Sequence, residues 1–389
     1  MSVPRGVQDS DTGAAQGGLE SVSTAERVAS LTGVRAVAAL LVVLTHAAYT
    51  TGRYPQGFEG LVYSRMEIGV PIFFVLSGFL LFRPWVQAAA RGGPPPSVRR
   101  YAWHRVRRIM PAYAVTVVAA YLVYHFRTAG PNPGHTWEGL FRNLTLTQIY
   151  TDDYLYSFLH QGLTQMWSLA VEAAFYVVLP AMAYVLLVLL CRRAWHPGLL
   201  LAGLAVFAAV SPLWLWIVHS VDWLPDGARL WLPTYLVWFV GGMLLAALQA
   251  MGVRVYAMAA VPLAVVCYLI ASTPIAGEPT TSPAGLSEAL VKTGFYAVIA
   301  TLTVAPLALG DRGWYERFLA SRPMVFLGEI SYEIFLIHLI TMELVMVEIL
   351  RYPIYTGSML WLFVGTMATT IPLAWVLHRF TRVRPPARV

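Results

Sequence analysis

Ten apolar segments dominate this chain, at 31–50, 66–86, 108–127, 165–190, 198–218, 230–249, 255–273, 289–309, 325–349 and 358–378. The hydrocarbon core of a bilayer is about 30 Å thick and takes roughly 20 helical residues to cross. These segments therefore predict an all-α polytopic membrane protein with about ten transmembrane helices. Composition agrees: 58% of residues are hydrophobic and 12% charged, a balance foreign to soluble domains. The segment 325–349 is the least regular, because Glu329, Glu333, His338, Glu343 and Glu348 crowd it. The membrane domain is expected to cover 29–380. Residues 1–28 are small, polar and glycine-rich, without the short apolar core and cleavage site of a signal peptide. They are expected to form a disordered cytoplasmic tail, with the first span as an uncleaved anchor and 381–389 as a short basic cytoplasmic tail.

The net charge of +7 invites a nucleic-acid partner, but its distribution argues otherwise. With the N-terminus inside, nineteen of the 27 Lys and Arg fall in cytoplasmic segments, seven lie outside or at outer span ends, and Arg35 sits within a span. This asymmetry follows the positive-inside rule, predicts that both termini are cytoplasmic, and leaves no need for nucleic acid. Cys191 and Cys267 are too few for a disulfide framework or a metal cage and read as packing residues; no metal is expected. No internal repeat stands out, which weakens a transporter built on inverted repeats.

Arg35 and His46 lie eleven residues apart in the first span, on nearly one helix face and about 16 Å apart along the axis. Ionisable groups inside spans are costly to insert and mark functional sites. Histidine moves protons near neutral pH, whereas arginine only holds anions. The pair predicts an anionic co-substrate at one surface and proton chemistry further in. The basic run VRRYAWHRVRRIMPAY carries Arg105 and Arg108, suited to the phosphates of a nucleotide-like cofactor or to orientation beside anionic lipid. In GVPIFFVLSGFLLF, Ser77-Gly78 favours close helix packing, and no Gly-x-Ser-x-Gly elbow supports a serine nucleophile. In WSLAVE, Glu172 stands about two turns into a span, there either to orient His46 or to pair with Arg35 or another cation. His338 follows Ser331 by seven residues on one face and offers a second polar wall beside His46. The loop 128–163, with His135, Trp137, Asp152, Asp153, Tyr154, Tyr156 and His160, reads as an interfacial aromatic belt or as a cover over an acceptor.

Taken in order, Arg35-x10-His46, FFVLSGFLL, Arg105-Val-Arg-Arg108, WSLAVEAAFY and GEISYEIFLIH resemble the acyltransferase-3 family over about residues 31 to 380. These are integral-membrane O-acyltransferases of bacterial envelope glycans, glycolipids and related sugars. The resemblance implies a multi-pass protein of the bacterial plasma membrane that moves an acyl group, acetyl by expectation, from cytoplasmic acyl-CoA to a sugar hydroxyl. It implies His46 as the essential base with Glu172 as its supporting carboxylate, and Arg35, Arg105 and Arg108 as holders of the CoA phosphates. Ser77, Trp167, Tyr176, Ser331, Tyr332 and His338 become walls of the substrate cavity. Two departures stand out: Pro71 replaces the acidic residue common after Gly-Val, and HRFTRVRPPARV lacks the closing Glu-x-Pro-like signature. No esterase-like domain is expected after the last span. The sequence carries no signal for oligomeric state. The alternative class is a proton-coupled transporter or flippase of a glycolipid or polysaccharide, relaying protons through His46 and Glu172. A non-catalytic scaffold is the third, and the insertion cost of the buried ionisable residues weighs against it.

Overall fold

The computed structural model describes residues 11–127, 130–279 and 285–382, with side chains from residue 29 onwards except those of 155 and 156. The side chains of the expected tail 1–28, most of the expected tail 381–389 and the Tyr156 side chain lie outside the described residues. Among the described residues the chain is helical without strands: α1 (Asp11–Thr50), α2 (Gly57–Arg65), α3 (Gly69–Ala90), α4 (Val98–Phe126), α5 (Trp137–Leu144), α6 (Trp167–Tyr184) and α7 (Pro197–Ser220), followed by α8 (Leu232–Ala250), α9 (Ala257–Ala271), α10 (Leu286–Leu309), α11 (Trp314–Leu319), α12 (Arg322–Glu329), α13 (Ser331–Leu344) and α14 (Met359–Thr381). Among the described residues eight stretches are long and apolar enough to cross a membrane: Ala29–Thr50, Gly57–Ala90, Val98–Phe126, Gln161–Leu190, Pro197–Ser220, Asp226–Ala250, Leu286–Leu309 and Met359–Thr381. They coincide with eight of the ten apolar segments, and the chain is a multi-pass membrane protein.

The other two segments depart from a simple span. The segment 255–273 forms α9, whose 15 residues extend only about 22 Å. The segment 325–349 is broken, with α12 and the helix that begins at Ser331 meeting at 70°. The break has a local cause. A Cβ on Gly328 would lie 1.9 Å from the Thr32 carbonyl oxygen, so only glycine lets α12 close onto α1. Ser331 Oγ then donates to the freed Gly328 carbonyl at 2.8 Å, which satisfies the backbone at the corner.

The first helix is the centre of the bundle. Leu31, Val34 and Ala38 join an apolar cluster with α3, α6, α8 and α10; Val42 joins a second with α4 and α13; and Ala39, Val43 and Ala47 join a third with α13 and α14. Close approach elsewhere also depends on glycine. A Cβ on Gly78 would meet the Phe239 carbonyl oxygen at 2.1 Å, and one on Gly242 the Val75 carbonyl oxygen at 1.9 Å, so α3 and α8 pack backbone to backbone. The loop between α4 and α6 is tied down by imidazoles. His135 Nδ1 lies 3.3 Å from His160 Nε2, and Tyr121 stacks on both rings. Burial, then the neighbouring His135, pushes His160 down to about 3. In α5, Trp137 and Phe141 are exposed, as an interfacial belt requires.

Glycine positions give a paired stability test. Gly242→Val should destabilise the protein by about 1–3 kcal/mol through overpacking against Val75. Gly294→Ala, on an open face of α10, should be neutral or stabilising by up to about 1 kcal/mol. Thermal unfolding in detergent checks both; equal shifts would refute the close α3–α8 contact.

Candidate active site

Arg35 and His46 share a face of α1 as their spacing requires, and the helices around α1 supply each with partners. At the Arg35 end, the guanidinium Nε donates to Ser331 Oγ at 3.4 Å, on the first residue of α13. Arg35 also lies in the field of Arg108, Glu172, Tyr176 and Glu333. Glu172 accepts hydrogen bonds from Ser77 and Tyr176, both of which reach the same carboxylate oxygen. Tyr101 Oη donates to the Tyr176 carbonyl at 3.1 Å, and Tyr332 Oη to the Ile109 carbonyl at 3.1 Å, so both tyrosines fasten α4 to the site. Arg105 stands in the same field, and its buried Nε has no hydrogen-bond partner among the described residues. Arg107 is different: its guanidinium lies over the exposed Trp103 ring at 5.6 Å, on another side of α4.

Three guanidinium groups here face two carboxylates, Glu172 and Glu333, which leaves a positive surplus. A buried N–H without an acceptor in such a place suits a phosphate oxygen. Arg35, Tyr176 and Tyr332 each keep some accessible surface.

At the other end of the face, two histidines meet. His338 Nε2 lies 3.1 Å from His46 Nδ1, with ring centroids 5.0 Å apart. Their backbone contacts assign the tautomers. His46 Nδ1 is 2.8 Å from the Val42 carbonyl and His338 Nδ1 is 2.8 Å from the Phe335 carbonyl. A carbonyl only accepts, so each Nδ1 carries the proton. His338 Nε2 then presents a lone pair to the His46 Nδ1–H, and His46 Nε2 is left as the free proton acceptor. The His46 side chain stays partly accessible.

The geometry revises one expectation. Glu172 does not orient His46; it sits at the level of Arg35 with Ser77 and Tyr176. Its span begins at Gln161 rather than 165 and opens with a 3-10 turn, which carries Glu172 deeper than two turns. His338 is the side chain that meets the His46 ring. Ser331, Tyr332, Ser77 and Tyr176 gather at the Arg35 end, with Arg105 and Arg108. Trp167 lies elsewhere, packed on Tyr235 at 5.0 Å, and Tyr235 shares the field of Glu67 with His46. Pro71 is buried within the first turn of α3. Three residues escaped the sequence reading. His378 Nδ1 pairs with Glu333 Oε1 at 2.9 Å, beside Arg35, and Glu67 pairs with Lys292. The available signals were a histidine at the end of the last span and a single lysine among 26 arginines. Cys191 and Cys267 are free, and no group of three or more His, Cys, Asp or Glu among the described residues is arranged to hold a metal ion.

The chain is similar to the peptidoglycan O-acetyltransferase OatA of Listeria monocytogenes, with 24% identity over 381 residues, 91% of this chain and 55% of the relative. It is 30% identical over 190 residues to the acyltransferase MdmB of Streptomyces mycarofaciens, covering 48% of this chain and 46% of that one. It is 22% identical over 347 residues to the O-acetyltransferase OatA of Staphylococcus aureus, 82% of this chain and 51% of the relative. The chain thus spans about half the length of the curated relatives it matches. No solved structure matches it. The family model described as an acyltransferase domain matches residues 28–379, and the chain belongs to that family.

Proposed function

We propose that this protein is a membrane O-acyltransferase of the bacterial plasma membrane, with both termini in the cytoplasm. It moves an acyl group, acetyl by expectation, from acyl-CoA to a sugar hydroxyl of an envelope glycan or glycolipid. The observation that carries this reading is the His46 ring, held through Nδ1 by Val42 and His338 with Nε2 left free. The similarity to O-acetyltransferases supports it.

In this reading the donor's phosphates lie on Arg105, Arg108 and Arg35, and its acyl arm follows the α1 face towards His46. The acceptor hydroxyl gives its proton to His46 Nε2 as its oxygen attacks the thioester carbonyl. The tetrahedral intermediate collapses, the C–S bond breaks, and the proton on Nε2 passes to the departing CoA thiolate. The products are the ester and CoA–SH, with His46 neutral again. General-base assistance of this kind contributes about 10²–10⁴ in rate. His338 holds the ring and accepts from Nδ1–H as charge develops on the imidazole. Glu172 keeps Ser77 and Tyr176 in place and balances the arginines.

His46→Ala should reduce acyl transfer from labelled acetyl-CoA by about 10²-fold or more while the protein stays folded and inserted. Wild-type turnover in the purified variant would sink the assignment, and substrate accumulation in vesicles without labelling would favour transport. His338→Ala should lower kcat by about tenfold or more, part of the general-base contribution, with donor affinity unchanged; loss of donor affinity instead would remove it from this role. The Arg105→Ala, Arg108→Ala double variant should weaken acyl-CoA binding by about tenfold or more, since each charged hydrogen bond contributes roughly 1.5–3 kcal/mol. Calorimetry showing equal affinity would refute the phosphate site.

A further inference from the structure

Glu67 is unusual for a carboxylate inside a span. Its Oε1 lies 2.5 Å from Lys292 Nζ and accepts from Tyr296 Oη at 2.8 Å, so an ion pair and a phenol are tied to one oxygen. Protein surrounds the residue, yet 38% of its side chain remains accessible, against 12% for Lys292. That accessible carboxylate surface is open to a ligand. Tyr235 has the same character, enclosed but partly accessible, and it lies in the field of Glu67. So does His46. Behind Tyr235 stands a wall of aromatic rings, with Trp167 at 5.0 Å and Trp238 at 4.8 Å.

A carboxylate paired with Lys292 accepts hydrogen bonds from hydroxyls through its remaining lone pairs. Flat phenol and indole faces receive the C–H side of a pyranose ring. The carboxylate repels a phosphate or carboxylate group, and the ion pair makes the space costly for an acyl chain. What fits is uncharged, polyhydroxylated and partly flat. We infer that Glu67, Lys292, Tyr235 and Trp167 form a subsite for a sugar ring, placed to hold the acceptor hydroxyl beside His46. The inference builds on the acyl-transfer reading, whose acceptor it describes.

The test uses the purified full-length chain in lipid nanodiscs, without donor, titrated with a saccharide panel of chitotetraose, cellotetraose and trehalose and followed by tryptophan fluorescence. The wild type should bind at least one of them. Glu67→Gln and Tyr235→Ala should each weaken that binding by about tenfold or more, while Tyr235→Trp retains it. A wild type that binds none of the panel overturns the subsite. So do Glu67→Gln and Tyr235→Ala proteins that unfold at lower temperature but bind as the wild type does, because that pattern belongs to a purely structural ion pair. Saccharide binding without any acyl transfer from acetyl-CoA would sustain the subsite and sink the transfer reading. Acyl transfer with saccharide affinity unchanged in both variants would do the reverse.

Discussion

A guanidinium carried to mid-bundle on α1 has no partner in the lipid, so protein must supply one. Arg35 therefore sets conditions on every helix packed around it. Its Nε donates to Ser331 at the start of α13, and Glu172 of α6, bonded to Ser77 and Tyr176, and Glu333 of α13 lie within its electrostatic reach. The 70° corner between α12 and α13 belongs to the same arrangement, because it ends one helix and begins another beside this charge. Without the glycine at 328 the corner would be forced away from α1, and Ser331 with it.

The histidine end follows a different logic. Among the described residues no carboxylate touches the His46 ring; a backbone carbonyl and a second imidazole do. That arrangement avoids placing a second full charge in an apolar setting, where desolvation is costly. It also makes the ring's free nitrogen a matter of hydrogen-bond bookkeeping, since two acceptor-only carbonyls dictate both tautomers. Charge is thus concentrated at the arginine end and at Glu67 with Lys292, and the histidines lie between them as neutral groups able to take a proton.

Much of this was legible from residue order. Long apolar segments located the helices, because a bilayer demands length and lack of charge. The eleven-residue interval fixed one face for Arg35 and His46, because a helix has a regular period. Three features were not legible. The depth of Glu172 was misjudged because apolarity marks a span's middle better than its start, and the 3-10 turn before α6 is invisible to periodicity. The break inside 325–349 hid behind an apolar pattern that continues across it. Glu67 and Lys292 lie far apart in sequence and became a pair only when α10 packed near the start of α3.

The sequence by itself determined the membrane class, the places of most helices, and the intramembrane arginine and histidines, since hydropathy and helical period are local properties. Tertiary structure decided which of those groups meet. It gave His46 a histidine rather than a carboxylate, assigned Glu172 to the arginines, and joined Glu67 to Lys292. The physical reason is that charge pairing is set by distance in space. That distance depends on helix depth, glycine-limited packing and a backbone corner, none of which a one-dimensional pattern encodes.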